Sequence, residues 1–138
     1  MAKGKTYKNY LTDDEEKVSI VQESSAGVYA TTFDSVAGLA GYRADDLAAI
    51  LNISGKTYSR YKASRRRFDT GQSELLIKLK ALFSLGNDVF GDSTQFRRWL
   101  EAPAYGLGGL IPQQLINTST GIDLVMNELT NIAHGNLA

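Results

Sequence analysis

The run "LAAILNISGKTYSRYKASRRR", Leu47–Arg67, decides how the rest of the chain is read. Leu47, Ala48 and Leu51 form one apolar helical face, and "NIS" then interrupts it. Ser54 follows, a residue whose hydroxyl can accept from the free backbone N–H groups of a new helix. In that second segment Tyr58 and Tyr61 share the inward face, and Ile53 in the turn supplies an apolar plug. Lys56, Thr57, Ser59, Arg60 and Ala63 are left pointing outward. Leu47 to Ala63 therefore reads as a helix-turn-helix: a support helix, a tight turn, and a second helix with its outer face free.

That outer face is strongly charged. Ser54–Arg67 carries six positive residues, Lys56, Arg60, Lys62, Arg65, Arg66 and Arg67, and no acidic one, in a chain whose net charge is zero. Residues 1–53 hold five Lys/Arg against eight Asp/Glu, and residues 69–138 hold four against seven. The neutral total conceals one basic patch between two acidic flanks, the footprint expected for a polyanionic partner. Lys56 and Arg60 are four apart on one helical face, and both can donate to guanine O6 and N7. Lys62, Arg65, Arg66 and Arg67 cluster where phosphate neutralisation is the better reading, with Thr57 and Ser59 completing the candidate DNA-binding set. One or two of these charges could simply oppose the helix dipole at a solvated end, but six exceed that need. An acidic protein surface is the other partner that such a patch would suit. Because one module reads few base pairs, a homodimer on two half-sites of operator DNA is expected.

Length and composition limit the other classes. At 138 residues, 43% apolar and 22% charged, the chain is about one ordinary domain or two small lobes sharing a core. Without cysteine there is neither a disulfide framework nor a thiolate metal site. No apolar run approaches the 18 or so residues of a spanning helix, and "MAKGKTYKNYL" lacks a signal-peptide core, so no membrane association and a cytoplasmic location are expected.

Along the chain, residues 1–11 read as a flexible basic tail. "TDDEEKVSIVQ" predicts a first helix from about 13 to 24, with Thr12 as its cap, acids in its first turn, and Val18 and Val21 on a shared face. Phe33, Val36, Ala37 and Ala40 mark a second, short helix. "DTGQSELLIKLKALFSLGNDVF" is the strongest helix: Asp69 and Gln72 have capping-box spacing, and Leu75, Leu79, Leu82, Phe83 and Phe90 recur every three or four residues. Gly86 inside it costs about 1 kcal/mol against alanine, which suggests close packing or a bend at that turn. "DSTQFRRWLEAP" gives another short helix with Phe96, Trp99 and Leu100 on one side. "AYGLGGLIP" is a glycine-rich loop, Pro112 starts a single turn, and a last helix spans about Thr120 to Ala133. Nothing alternates like a strand, so the chain is expected to be all-α.

The second half has a distinctive series: "WLEAP" from Trp99, "LGGLIP" from Leu107, and "TSTGIDLVMNELTNIAHG" ending at Gly135. With these residues in this order, the chain resembles the Xre/MbcA/ParS family of antitoxins over about Asp34 to Gly135. The resemblance implies an N-terminal Xre-like helix-turn-helix DNA-binding lobe over 12–85 and a small helical toxin-binding lobe over 86–138. It implies as partner a cognate RES-domain toxin, similar to ADP-ribosyltransferases and consuming NAD, whose active site the antitoxin occludes, together with repression of its own operon. Trp99, Tyr105, Leu107, Leu110 and Ile111 around the glycine-rich loop, and the tail Asn136, Leu137 and Ala138, are the toxin-binding candidates. Aromatic and aliphatic anchors dominate such interfaces. For Trp99 a place in the core is an equal alternative, and Gly108 and Gly109 could serve only the turn.

An enzyme is not expected, and neither is a cofactor. The single histidine, His134, closes the last helix, where opposing the dipole suffices to explain it. "DDEE" fits a helix start better than a metal cluster, because successive helical residues diverge. "GLGG" lacks the preceding strand of a dinucleotide fingerprint. Two classes remain open: an antitoxin that also binds DNA, and a stand-alone helix-turn-helix regulator whose C-terminal lobe dimerises.

Overall fold

A computed structural model describes residues 7–135. Among them are seven α-helices and no strand: α1 Asp14–Ala26, α2 Ala30–Ala40, α3 Ala44–Ile50, α4 Gly55–Ser64, α5 Thr70–Phe90, α6 Ser93–Leu100 and α7 Ser119–Ala133. Single 3-10 turns at Tyr10–Thr12, Tyr105–Leu107 and Pro112–Gln114 link them. The expected all-α architecture, a helix-turn-helix domain followed by a C-terminal helical domain, is what the chain adopts.

The long helix α5 is the axis. Its capping box forms as the sequence predicts, Asp69 accepting from the Gln72 N–H at 2.7 Å and Gln72 accepting from the Asp69 N–H at 3.4 Å. Leu76, Leu79, Leu82, Phe83 and Val89 along it are buried, and α1, α2, α6 and α7 all pack on it. Gly86 resolves as close packing: a methyl group there would overlap the Phe96 ring of α6. Phe96 also meets Phe83 edge-on at 5.5 Å and stacks on Phe90 at 5.8 Å and Trp99 at 6.0 Å, so the missing side chain of Gly86 admits an aromatic cluster.

The N-terminal end differs from expectation in two respects, the tail and the cap. Residues 9–11, read as part of a loose tail, are anchored: Asn9 and Tyr10 are buried, and Asn9 Nδ2 donates to Thr130 Oγ1 at 2.7 Å. The cap of α1 is Asp13 rather than Thr12, since its carboxylate accepts from the Glu15 and Glu16 N–H groups. Val18 and Val21, read as sharing a face, lie on an exposed one, at 53% and 62%, and Ile20 and Ser24 are the buried residues of α1. The physical reason is that Ser24 is small and bonds its own helix, donating to the Ile20 carbonyl at 2.6 Å, so α1 can lie close to α5 on that side.

The Tyr10 hydroxyl donates to Asp123 at 2.5 Å, and Lys78 Nζ bonds Asp123 at 3.0 Å and Ser119 Oγ at 2.7 Å. One cluster of polar side chains thereby ties the N-terminal segment, α5 and α7 together. Burial and then the Asp123 bond hold the Tyr10 hydroxyl well above the ordinary tyrosine range.

Candidate functional site

The turn between α3 and α4 is built from local rules. α3 ends at Ile50, and Asn52 takes a left-handed conformation (φ 56°), which asparagine tolerates better than most residues. Ile53, partly buried, packs on the core, and Ser54 Oγ accepts from the Thr57 N–H at 3.0 Å to start α4. None of the residues of α4 is buried. Two tyrosines hold it: Tyr58 stacks on Phe33 at 4.2 Å and Tyr61 sits 5.2 Å from Phe68. The Tyr58 hydroxyl also donates to Asp34 of α2 at 2.5 Å; burial, then that bond, raises its pKa.

The six cations on or after α4 fall into two groups. Lys56, Arg60 and Arg65 are exposed, and among the described residues no carboxylate lies within 4.0 Å of any of them. Lys56 and Arg60 are the pair on which base reading was expected, and Ser59 lies exposed beside them. Thr57 is half-buried, its hydroxyl 3.0 Å from that of Ser54. The other three cations have partners. Lys62 pairs with Asp34 at 3.1 Å, and that bond, with the Tyr58 hydroxyl, raises its pKa. The basic stretch is thus not free of counter-charge, a correction to the sequence reading: Asp34 lies 28 positions before Lys62, beyond the reach of any local pattern.

Arg66 lies over the Tyr61 ring at 4.6 Å. Arg67 donates to the Ala26 carbonyl at 2.9 Å and the Tyr29 hydroxyl at 2.9 Å, with its guanidinium 4.7 Å from the Tyr29 ring. It is a clamp across the α1–α2 junction, reinforced by the bond from the Phe68 N–H to the Val28 carbonyl at 2.8 Å. Arg65 closes α4 in a left-handed conformation (φ 53°), strained for an arginine, and stays exposed.

The second surface follows α6. The segment Ala104–Leu110 closes on itself: the Ala104 N–H donates to the Leu110 carbonyl at 3.0 Å and the Gly109 N–H to the Ala104 carbonyl at 2.9 Å. Gly108 and Gly109 turn with φ of 67° and 82°, values that side chains disfavour. This closure raises Tyr105, 82% exposed, and Leu110, 55% exposed, above the surface. Leu107 and Ile111 are half-buried, Leu107 against the core. Trp99 is half-buried in the aromatic cluster between Phe90 and Phe96. Asn136, Leu137 and Ala138 lie outside the described residues.

Two features escaped sequence reasoning. Glu128 is 4% exposed, and its signal was present: it stands three residues after Val125 and next to Leu129, on the buried flank of α7. The pairing of Lys78 with Asp123 had no local signal, since the residues are 45 apart. Among the described residues no group of three or more His, Cys, Asp or Glu could hold a metal, and no helix is long and apolar enough to cross a membrane.

Comparison with known proteins returns both halves. Residues 19–79 match the antitoxin Xre-like helix-turn-helix domain, and residues 85–135 match the antitoxin Xre/MbcA/ParS C-terminal toxin-binding domain. A curated relative named "Antitoxin Xre" from Photorhabdus laumondii is 26% identical over 110 residues, 79% of this chain and 74% of that one. Another of the same name from Yersinia enterocolitica is 24% identical over 117 residues, 84% of this chain and 79% of that one. A third, from Pseudomonas putida, is 31% identical over 64 residues, 46% of this chain and 40% of that one.

Proposed function

The chain belongs to the Xre/MbcA/ParS antitoxin family, matching in order its two domain models, and we propose that it neutralises a RES-domain toxin and represses its own operon as a homodimer. Toxin binding is assigned to the C-terminal lobe, with Tyr105 and Leu110 as protruding anchors and Leu107 and Ile111 beside them. Occlusion of the toxin's NAD pocket is the mode of inhibition that the resemblance implies. The tail Asn136–Ala138 is assigned to the same contact.

DNA binding is assigned to α4. The observation that carries it is that Lys56 and Arg60 on the second helix of a helix-turn-helix, and Arg65 at its end, are exposed and without carboxylate partners among the described residues, in a chain with as many acids as bases. Lys56 and Arg60 read base edges; Arg65 and Arg66 contact phosphates; Thr57 and Ser59 add polar contacts. Lys62 and Arg67 can reach phosphate only from positions already shared with Asp34 and Tyr29. Two copies of α4 then meet half-sites about one helical turn apart.

Co-expression with the product of the neighbouring gene tests the antitoxin role. That product arrests growth alone and is silenced when this chain is present. Continued toxicity in the presence of folded chain would leave the alternative, a regulator whose C-terminal lobe serves only assembly.

A further inference from the structure

The least expected atom in the C-terminal lobe is Glu128 Oε2. It is buried and has no hydrogen-bond partner among the described residues. The other carboxylate oxygen accepts from Asn131 Nδ2 at 3.5 Å, the outer limit of a hydrogen bond. Among the described residues no lysine, arginine or histidine lies within ion-pair distance of Glu128. A carboxyl group removed from water without a cation or a full set of donors opposes folding. Its neighbours on α7, Val125 and Leu129, are fully buried and apolar, and an aliphatic residue at 128 would pack with them. Packing does not explain a glutamate there.

What covers the carboxylate does bear on it. It presses against Gly106, where any side chain would overlap it. Gly106 is itself exposed, in the turn Tyr105–Leu107, on the same closed loop that raises Tyr105 and Leu110. A residue without a side chain, itself exposed beside Tyr105, thus lies directly against the buried acid. The arrangement is that of a counter-charge held under a docking face.

We propose that Glu128 receives a cationic side chain, arginine or lysine, of the toxin, which seats on the loop at Gly106. This rests on the reading of that loop as the toxin-binding surface. A guanidinium or ammonium supplies the donors that the orphan oxygen lacks, and charge-assisted bonds in a dehydrated site are strong and selective. The acid is thus kept for the complex at the expense of the free chain.

The test is calorimetric titration of the full chain, and its Glu128→Gln, Glu128→Met and Tyr105→Ala variants, into the product of the neighbouring gene, beside urea unfolding of each. The expected result is that both Glu128 variants are at least as stable as the parent and bind the toxin roughly 30-fold or more weakly. A Kd within about twofold of the parent for both overturns the inference. So does weakened binding that merely follows lost fold stability. Weakened binding by Tyr105→Ala with none by the Glu128 variants removes the counter-charge and leaves the docking loop standing. No effect from Tyr105→Ala removes the loop itself and the inference with it.

Discussion

Helices α4 and α7 start alike and end up differently. Each is capped by a hydroxyl, Ser54 bonding the Thr57 N–H at 3.0 Å and Thr118 the Gly121 N–H at 3.0 Å. Yet α7 buries seven of its 15 residues, and α4 buries none of its 10. α7 is fastened along its length by Ile122, Val125, Met126 and Leu129. α4 is fastened at two tyrosines and the Lys62–Asp34 pair and is otherwise open. A helix that must offer its side chains to a partner cannot also commit them to the core; in the reading proposed above, the exposed contacts beside α7 fall to the loop before it, over a Glu128 that α7 holds beneath.

The largest effect that sharpens this contrast lies in the aromatic cluster between α5 and α6, a packed interior of the kind that α4 lacks. Phe96→Ala removes the ring that Gly86 admits and should cost about 3–5 kcal/mol in urea unfolding, whereas single alanine replacements at Lys56, Ser59 or Arg60 should stay within about 0.5 kcal/mol. A comparable loss from any of these three would break the comparison.

The next effect is read on DNA. Lys56→Ala with Arg60→Ala should lower discrimination between operator and unrelated duplex by about 1–3 kcal/mol for each base that the pair reads, with no change in Tm. Arg65→Ala with Arg66→Ala should instead weaken binding to both duplexes and flatten the salt slope by roughly two units, measured by fluorescence anisotropy across a salt series. Unchanged affinity in both pairs would remove α4 from the DNA interface.

A smaller effect comes from the strained cap. Arg65→Gly relieves a left-handed arginine and should stabilise the fold by roughly 1 kcal/mol while still weakening DNA binding.

The smallest effect at neutral pH is at the N-terminal anchor. Tyr10→Phe should cost about 1 kcal/mol for the bond to Asp123. The folded hydroxyl holds its proton more tightly than the unfolded one, so its contribution is complete below the ordinary tyrosine range and lost as pH rises through it toward the folded value. Stability of the parent should therefore fall as pH rises above about 10, and the phenylalanine variant should fall less steeply.

Periodicity and caps made most of the fold legible. The Asp69–Gln72 box, the Ser54 cap, the helix-turn-helix and the inward face of α7 are all written in residues a few positions apart. Val18 and Val21 share a face, but which face of α1 turns inward is not legible from them, because a small residue, Ser24, sets the approach of the helices. Of the candidate sites, Lys56 and Arg60 are readable because they share one helical face. The partners of Lys62 and Arg67 are not, since Asp34 and Tyr29 come to them through the packing of α2 against α4 and the segment after it. Glu128 is easily missed because an acid in an amphipathic helix ordinarily faces solvent.

Because α5 runs unbroken from the helix-turn-helix into the aromatic cluster, the molecule has no natural place to be cut. A fragment ending at 85 would strip Phe83 of its Phe96 neighbour, and one beginning at 86 would lack Leu76, Leu79 and Leu82, buried on the helix that α7 packs against. The two jobs proposed for this chain share a single beam, so neither half can be borrowed, swapped or evolved as a free-standing part without redesigning the surface it leaves bare.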